Sequence, residues 1–461
     1  MSELSKTIAA IATPHGAGGM GVVRVSGSMA KEVLKKVWKS TRVEVDNFVT
    51  HRLYYGNIVD SSTGGQIDSG LAVWMKSPHS YTGEDIVEIQ AHGSPLLLEK
   101  ILVSCLVAGA HLAGPGEFTK RAFLNGKIDL AQAEAVADLI AASSEAGLSQ
   151  AREHLSGSLS QKIGEYQAEL TKLRAFVEAS IDFPEEDIEL IQKEGILSRL
   201  SPIQITLQEL LTTYEEGRIY REGVKTVLAG RPNVGKSSLL NALLVQERVI
   251  VHHKAGTTRD VIEEPCQFFG ILFRLFDTAG LCSSADEVEA IGVGKSRELL
   301  DEADLILWVL DLASPLFPED LDFLSTLNLS KTIICLNKSD LGAAWDPKNL
   351  MLPGHEESAI PISALKGDGI DNLKKIMVEW VKNNTKTENS GIKITKLRHK
   401  VALSAAGEEL TKVAEALNQQ NPIEFMAHHL KKAHENLGVI TGSHISEDLL
   451  DAIFKEFCIG K

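Results

Sequence analysis

The sequence has few of the features that mark secreted or membrane-spanning proteins. Its 461 residues include five cysteines, none of them in a CxxC pair, which argues against a disulfide framework or a zinc site. No run of about 18 or more apolar residues is present, so we expect no transmembrane helix. The first residues lack a basic segment followed by a long apolar core, so we expect no signal peptide. These absences predict a cytoplasmic protein.

Basic residues are outnumbered by acidic ones. The chain has 47 Lys and Arg against 62 Asp and Glu, which gives a formal net charge of −15. Because phosphate backbones are bound by basic surfaces, this balance argues against a protein that coats nucleic acid non-specifically, although a local basic site stays possible. The acidity lies in residues 120–390, and both ends of the chain are close to neutral. We therefore expect any binding of nucleic acid by this chain alone to be weak.

The length suggests about three domains. Residues 1–119 contain short apolar runs between glycine-rich turns, which is typical of an α+β domain. Residues 120–219 and 383–461 have apolar residues at helical spacing. Residues 220–382 alternate strand-like and helical runs, which predicts a doubly wound, mostly parallel sheet. We predict that this α/β unit is inserted into one discontinuous helical domain; two separate helical pieces are the alternative.

One motif predicts phosphate binding. Residues 230–237 read GRPNVGKS, after the strand-like VKTVLA and before the helical SSLLNALL. Glycines let backbone amides curl around a phosphate, and the N-terminus of the next helix adds a positive dipole. We expect Lys236 to reach the β- and γ-phosphates and Ser237 to ligate Mg²⁺. The predicted contacts in this loop are Asn233, Val234, Gly235, Lys236, Ser237 and Ser238.

Two further motifs follow that would act on the metal and the γ-phosphate. Thr257 and Thr258 offer a hydroxyl, and we assign Thr258 to Mg²⁺ and the γ-phosphate. The run Asp277, Thr278, Ala279 and Gly280 ends an apolar strand, so that Asp277 can hold the metal's water shell and Gly280 can sense the γ-phosphate.

The last two motifs predict a choice of base. Asn337, Lys338 and Asp340 follow the strand-like run TIICL. A carboxylate at Asp340 can accept two hydrogen bonds from guanine that adenine cannot donate. Ser363, Ala364 and Leu365 would close over the base with a backbone amide. The motifs occur in the order that a guanine-nucleotide site requires, and together they predict GTP binding.

Hydrolysis of GTP needs a group that positions water. Leu281 stands where many GTPases place a glutamine, and a leucine side chain cannot orient water. The acidic stretch 283–289 follows and includes Glu289, for which a solvated loop is the plainer interpretation. Help with hydrolysis is therefore expected from elsewhere.

Further specific segments lie outside the nucleotide motifs, namely Phe457–Lys461 (FCIGK), Thr13-Pro14, Arg24–Gly27, Tyr81–Asp85, Gly114–Thr119 and Leu130–Ala135. Through these residues the whole chain resembles the MnmE (TrmE) family of tRNA modification GTPases. The resemblance implies an N-terminal domain similar to folate-binding aminomethyltransferase domains, which mediates homodimerisation. It also implies a helical domain with a P-loop, Ras-like G domain inserted in it, in agreement with the pattern of the sequence.

The resemblance implies a reaction as well. Members of the family act with MnmG, a FAD protein, in an expected heterotetramer. Together they add an aminomethyl or carboxymethylaminomethyl group at carbon 5 of the wobble uridine of certain tRNAs. The one-carbon unit is expected from a 5-formyl- or methylene-tetrahydrofolate. The implied cofactors are thus GTP, Mg²⁺, K⁺ and a tetrahydrofolate.

The family's folate contacts correspond to Arg24, Glu88, Lys127 and Lys461. These types make chemical sense, because a carboxylate can accept from a pterin edge and basic groups suit the glutamate tail. An ordinary ion pair is the alternative for Arg24 and Glu88. Cys458 is either a catalytic thiol or a small residue of the terminal tail, and nothing beside it in sequence would obviously lower its pKa.

The family's hydrolysis depends on potassium and on pairing of two G domains. Asn233 corresponds to the potassium ligand, and Thr257, His252 and Lys254 occupy the loop that covers the ion. Glu289 corresponds to the glutamate that orients the attacking water through a bridging water. Lys254 departs from the family pattern, and its ammonium would repel or partly replace K⁺. We therefore hypothesise that potassium activation survives but is weakened.

Two alternatives remain at this point. One is a ribosome-assembly GTPase, which binds RNA as a scaffold; residues 1–119 and the FCIGK ending argue against it. The other is a folate aminomethyltransferase that carries a regulatory G domain.

Overall fold

A computed structural model describes the protein over residues 6–182, 193–244, 263–277, 298–347, 350, 359–385, 391–419 and 421–461. The chain forms two compact units, which are described separately below. One comprises Met1–Ala137, His154–Glu186 and Gln420–Lys461, and the other comprises Asp138–Glu153 and Asp187–Gln419. Among the described helices, none is long and apolar enough to cross a membrane.

The chain has the following elements in order. The strands are β1 (Ile8–Ile11), β2 (Gly18–Ser26), β3 (Trp38–Lys39), β4 (Leu53–Val59), β5 (Gln66–Met75), β6 (Ile86–Gly93), β7 (His111–Leu112), β8 (Val224–Ala229), β9 (Glu263–Phe268), β10 (Ile271–Asp277), β11 (Leu305–Asp311), β12 (Thr332–Asn337) and β13 (Ala359–Pro361). The helices are α1 (Ala30–Val37), α2 (Pro95–Val107), α3 (Glu117–Leu124), α4 (Leu130–Ala141), α5 (Glu145–Leu155), α6 (Ser158–Asp182), α7 (Lys193–Thr212), α8 (Tyr214–Glu222), α9 (Lys236–Leu244), α10 (Pro318–Thr326), α11 (Ile370–Asn384), α12 (Leu397–Asn418), α13 (Ile423–Thr441) and α14 (Glu447–Lys455).

The first unit is built on a seven-stranded sheet. Its strand order is β3-β4-β5-β6-β2-β1-β7, and every pairing is antiparallel except the one between β1 and β7. Strands β2 and β6 alternate in register so that Val23, Val25 and Ile89 are buried. Helices α1 and α2 cover these residues with apolar side chains that include Leu34 and Ile101. The apolar runs of residues 1–119 are thus strands, as the sequence predicts.

The second unit contains a six-stranded sheet with the order β13-β12-β11-β8-β10-β9. All its pairings are parallel except the β9–β10 hairpin. The central strand β11 is buried along Leu305–Leu310, which explains its continuously apolar sequence. The doubly wound, mostly parallel sheet predicted from the sequence is therefore confirmed. The sequence prediction had not identified β9, whose signal is the paired apolar pattern around the turn at Phe269 and Gly270.

The long helical segments predicted between residues 120 and 219 are present. The pattern over residues 161–180 lies in α6, and the pattern that resumes after residue 188 lies in α7 and α8. The strand-like run at residues 248–253 lies outside the described residues. The division into 1–119, 120–219 with 383–461, and 220–382 stays a prediction, since the two compact units group these segments differently.

Candidate functional site

Three neighbouring parallel strands of the second unit end beside one another. Strand β8 pairs with β11, and β11 pairs with β12. Ligand sites of doubly wound sheets lie outside the carboxyl ends of such strands. The chain leaves β8 through the GRPNVGKS loop and enters α9, whereas β11 and β12 end at Asp311 and Asn337, which are in register. The phosphate loop and the residues that follow β11 and β12 are thus brought to one edge of the sheet.

The backbone conformation of the phosphate loop restricts which residues can occupy it. Asn233 has a φ of 66° and Gly235 a φ of 99°, both in the left-handed region. A Cβ atom on Gly235 would lie 2.3 Å from Asn337 Nδ2, so that the glycine is required by space as well as by conformation. Val234 is buried beneath the loop, and Ser238 lies on the exposed side of α9.

Two predicted phosphate and metal groups lie at the start of α9. Lys236 Nζ donates to the carbonyl oxygens of Gly230 and Arg231, at 2.8 and 3.0 Å. Ser237 Oγ donates to Asp277 Oδ2 at 2.7 Å. A hydroxyl and a carboxylate oxygen that face each other are the hard ligands that Mg²⁺ prefers, so these residues fit the metal.

Asn337 ties two loops together. Its Nδ2 donates to the Val234 carbonyl at 2.8 Å, and its Oδ1 accepts from the Ala364 amide at 3.0 Å. The side chain is buried, and both ends of its amide are used. We infer that Asn337 fixes the phosphate loop against the loop that begins at Ser363, which is a structural role within the predicted site.

Lys338 is held by a residue that the sequence analysis had not identified. Its Nζ donates to the Asn233 carbonyl at 3.0 Å and pairs with Asp311 Oδ2 at 2.6 Å. Burial alone would raise the pKa of the Asp311 carboxyl, but Lys338 and donors from Ala313 and Ser314 hold that pKa below its ordinary value. The available signal for Asp311 was its position as the first acidic residue after the apolar run of β11.

Asp340 lies beside the two loops that would enclose a base. The Ser363 side chain hydrogen-bonds its carboxylate and lowers the pKa of that group, with a smaller effect from Lys366, whose Nζ is 3.6 Å away. Asp340 is thus ionised and suited to accept from guanine. Leu365 is 86% exposed, so its side chain supports no neighbour and only its backbone is available for a role here.

Several predicted residues lie outside the described residues. They are Thr257, Thr258, Thr278, Ala279, Gly280 and Glu289, together with His252 and Lys254 of the expected potassium loop. Of the predicted potassium ligands, Asn233 is described. Its side chain is exposed and offers an amide oxygen, which is a suitable ligand for a hard cation.

The first unit contains the other predicted site. Arg24 on β2 and Glu88 on β6 are direct cross-strand partners. Arg24 Nε and Nη2 reach Glu88 Oε1 at 2.9 and 2.8 Å, and both side chains are about one-fifth exposed. Arg24 Nη1 also donates to the Gly460 carbonyl at 3.3 Å. The ion pair is present, as the alternative interpretation expects, but it also contacts the end of the chain.

The last residues of the chain dock beside this pair. The amides of Gly116 and Phe118 donate to the carbonyls of Cys458 and Lys461, at 3.3 and 3.2 Å. Gly460 has a φ of 93°, and a Cβ atom there would lie 2.3 Å from the Ile11 carbonyl oxygen. Only glycine fits this position. We call Arg24, Glu88 and residues 457–461 the tail site.

Tyr81 and Lys127 are connected to the first unit by different contacts. The Tyr81 hydroxyl hydrogen-bonds Thr119 Oγ1 at 2.9 Å. Burial raises the pKa of the Tyr81 phenol, and the charge of Arg24 acts in the opposite direction, so Tyr81 lies within electrostatic reach of Arg24. Lys127 is exposed, and its Nζ donates to the Pro78 carbonyl at 3.1 Å. The structure therefore brings Arg24, Glu88 and the backbone of the last residues together, whereas Lys127, on the segment after α3, contacts the loop that carries Pro78.

The described thiols differ in exposure. Cys458 is exposed, whereas Cys105, Cys266 and Cys335 are buried. Burial raises the pKa of Cys105 and of Cys335 to about 12, which keeps both as unreactive thiols at neutral pH. Of the described cysteines, Cys458 alone is accessible to a reactant.

Two models of one family match most of the chain. The model described as the MnmE helical domain matches residues 130–458, and the model described as the GTP-binding protein TrmE N-terminus matches residues 7–127. Among solved structures, the G domain of the T. maritima FeoB iron transporter is 29% identical. It covers 34% of this chain and 98% of its own, with a TM-score of 0.26.

Curated relatives are similar over the full length. The tRNA modification GTPase MnmE of Alkaliphilus metalliredigens is 43% identical over 460 residues, with 99% of this chain and 100% of its own covered. The proteins of the same name from Clostridioides difficile and Moorella thermoacetica are 44% and 46% identical, also over 99% of this chain and 100% of their own.

Proposed function

We propose a specific reaction for this chain, which belongs to the MnmE family of tRNA modification GTPases. It is a GTP hydrolase that acts in tRNA modification. In our proposal it acts with an MnmG-type FAD protein to add an aminomethyl or carboxymethylaminomethyl group at carbon 5 of the wobble uridine of certain tRNAs. The one-carbon unit comes from a 5-formyl- or methylene-tetrahydrofolate. We expect the enzyme to work in the cytoplasm, where its tRNA substrate is.

The nucleotide is proposed to bind at the carboxyl ends of β8, β11 and β12. Lys236 would leave the carbonyls of Gly230 and Arg231 for the β- and γ-phosphates, and Asp340 would accept from guanine. Ser237, with Thr258, would hold Mg²⁺, which supplies charge neutralisation at the phosphates. The observation that supports this assignment is the contact between Ser237 and Asp277, whose two oxygens lie where the phosphate loop meets the end of β10.

Hydrolysis is proposed to depend on K⁺ and on pairing of the G domains of a homodimer. Asn233 would ligate K⁺, with His252, Lys254 and Thr257 as positions of the covering loop, and the ion would supply positive charge at the phosphates. Glu289 would orient the attacking water. The GTPase rate in KCl and in NaCl, for this protein and for Lys254→Ile, tests the weakened activation that we expect. Equal potassium stimulation in the two proteins would show that Lys254 has no effect.

The tail site is proposed to bind the tetrahydrofolate. The observation that supports this is that Arg24 contacts both Glu88 and the Gly460 carbonyl, while the carbonyls of Cys458 and Lys461 accept from backbone amides. Glu88 would accept from the pterin, and Arg24, Lys127 and Lys461 would attract the glutamate tail. Cys458 belongs to the tail site and is the exposed thiol among the described cysteines, and we retain it as a candidate catalytic group.

Reconstitution tests the proposal as a whole. The full chain is combined with an MnmG-type flavoprotein, FAD, a tetrahydrofolate, GTP, Mg²⁺, K⁺ and unmodified tRNA, with ammonium or glycine as the source of the amine nitrogen, and the nucleosides are analysed by mass spectrometry. We expect a modified wobble uridine that requires every component. An unmodified uridine would refute the proposal, and modification without GTP would favour a folate aminomethyltransferase with a regulatory G domain.

A further inference from the structure

The described chain has four non-glycine residues with positive φ, and two of them lie in the nucleotide site. Asn233 has a φ of 66° in the phosphate loop, and Lys338 has a φ of 65° after β12. The left-handed region is disfavoured for residues with a Cβ atom, so each conformation must be held by its surroundings. The two residues are joined directly, because Lys338 Nζ donates to the Asn233 carbonyl at 3.0 Å.

Asp311 anchors this connection. Its Oδ2 lies 2.6 Å from Lys338 Nζ, in an ion pair whose carboxylate side chain is 10% exposed. The carboxylate is itself fixed, since Oδ1 accepts from the Ala313 amide and Oδ2 accepts from Ser314 Oγ. The Asp311 carbonyl accepts from Trp345 Nε1 at 3.3 Å. Both the side chain and the backbone of Asp311 are therefore held by neighbouring groups.

The position of Asp311 follows from the register of the sheet. Asp311 and Asn337 are paired on β11 and β12, so that the residue after Asn337 emerges beside the Asp311 side chain. The phosphate loop leaves β8 on the other flank of β11. A carboxylate at the end of the middle strand can thus act on a lysine that reaches across to the phosphate loop.

We propose that Asp311 is a positioning residue of the nucleotide site, which holds Lys338 against the Asn233 carbonyl and so fixes the phosphate loop relative to the loop after β12; this inference rests on the proposed guanine-nucleotide site. Asp311 acts through Lys338 and does not itself touch the nucleotide. Removing the Asp311 carboxylate frees the Lys338 ammonium to move. It also removes the support for the positive φ angles of Asn233 and Lys338. Loss of Asp311 should therefore lower the affinity for the nucleotide, because part of the binding free energy must then be used to order the two loops.

A double-mutant cycle on the full-length protein tests this proposal. Binding of a fluorescent GDP analogue is measured for Asp311→Asn, Lys338→Met and the double variant. We expect Asp311→Asn to weaken binding about tenfold, as for the loss of one charge-assisted hydrogen bond. In the Lys338→Met background the same change should have less than about a twofold effect. An equal loss in both backgrounds, or no loss in the native background, would overturn the proposal.

Further variants separate positioning from general damage. Asp371→Asn makes the same chemical change on α11, where the side chain is 93% exposed, and should leave GDP binding unchanged. Asp311→Glu keeps the charge and should bind GDP more tightly than Asp311→Asn; no recovery would contradict the role assigned to the ion pair. Circular dichroism of the nucleotide-free proteins reports folding. If Asp311→Asn proves unfolded, Asp311→Ser, which also removes the charge, replaces it in the cycle, and equal loss in both backgrounds again refutes the proposal.

Discussion

The nucleotide site and the tail site are assembled in different ways. The nucleotide site collects short motifs that each follow a strand of one parallel sheet, and its groups already contact one another, as Asn337 does with Val234 and Ala364. The tail site joins Arg24, near the start of the chain, to Gly460, next to its last residue. Sites of the first kind depend on strand order, whereas sites of the second kind depend on a terminal segment remaining docked. The two sites should therefore respond differently to substitution.

The largest effect is expected from Lys236→Ala. Removing this ammonium should lower the rate of GTP hydrolysis by about a hundredfold or more, because a preorganised charge at the transferring phosphate is lost. Phosphate release measures the rate. Lys225→Ala is the matched control, since its Nζ pairs with the exposed Glu302 on the surface of the same sheet, and it should retain activity. A Lys236→Ala protein with near-native hydrolysis would exclude the proposed phosphate contact.

An intermediate effect is expected from Arg24→Met. The variant should bind 5-formyl-tetrahydrofolate about tenfold more weakly in calorimetry, because a charge-assisted contact is lost while the side-chain volume is largely kept. Arg52→Met removes an exposed arginine from the segment before β4 and should bind normally. If both variants bind the folate as the native protein does, the Arg24–Glu88 pair has a structural role only. The tail site could then no longer be compared with the nucleotide site as a second ligand site.

A smaller effect is expected from Gly460→Val. A side chain here meets the Ile11 carbonyl and requires an unfavourable φ, so the amides of Gly116 and Phe118, which donate to carbonyls of the tail, should lose about 1–3 kcal/mol of protection in hydrogen exchange. Gly391→Val is the control, because a Cβ atom there has open space. Unchanged protection in Gly460→Val would mean that the tail is held by contacts other than those of its backbone.

The smallest effect is expected in chemical labelling of the thiols, which changes no residue. At pH 7 iodoacetamide should label Cys458, whereas Cys105 and Cys335 should remain unlabelled in the folded protein. Because burial raises the pKa of both buried thiols to about 12, their thiolate fraction stays low up to pH 9 and increases only above that range. Peptide mass spectrometry locates the label. Labelling of Cys335 at pH 9 without unfolding would show that the core of the second unit opens.

Local sequence was sufficient for the phosphate loop, the strands β8, β10, β11 and β12, and the long helix α6. These features depend on short-range patterns, because the residues that determine backbone conformation, strand burial and helical periodicity lie within about ten to twenty positions of one another. The roles of Arg24, Glu88 and Lys461 came from resemblance to a family. Spacing along the chain could not have joined Arg24 to the last residues, because the contact between Arg24 and Gly460 spans almost the whole sequence.

By itself the sequence determined the class of this protein: an acidic chain with a guanine-nucleotide motif set and the features of a tRNA modification GTPase. The tertiary structure decided which groups support one another. Asp311 had no motif of its own, and it gained a partner because β11 and β12 run parallel and in register, which places Lys338 beside it. Position 460 likewise requires glycine because of the Ile11 carbonyl, a neighbour that only folding brings close to it.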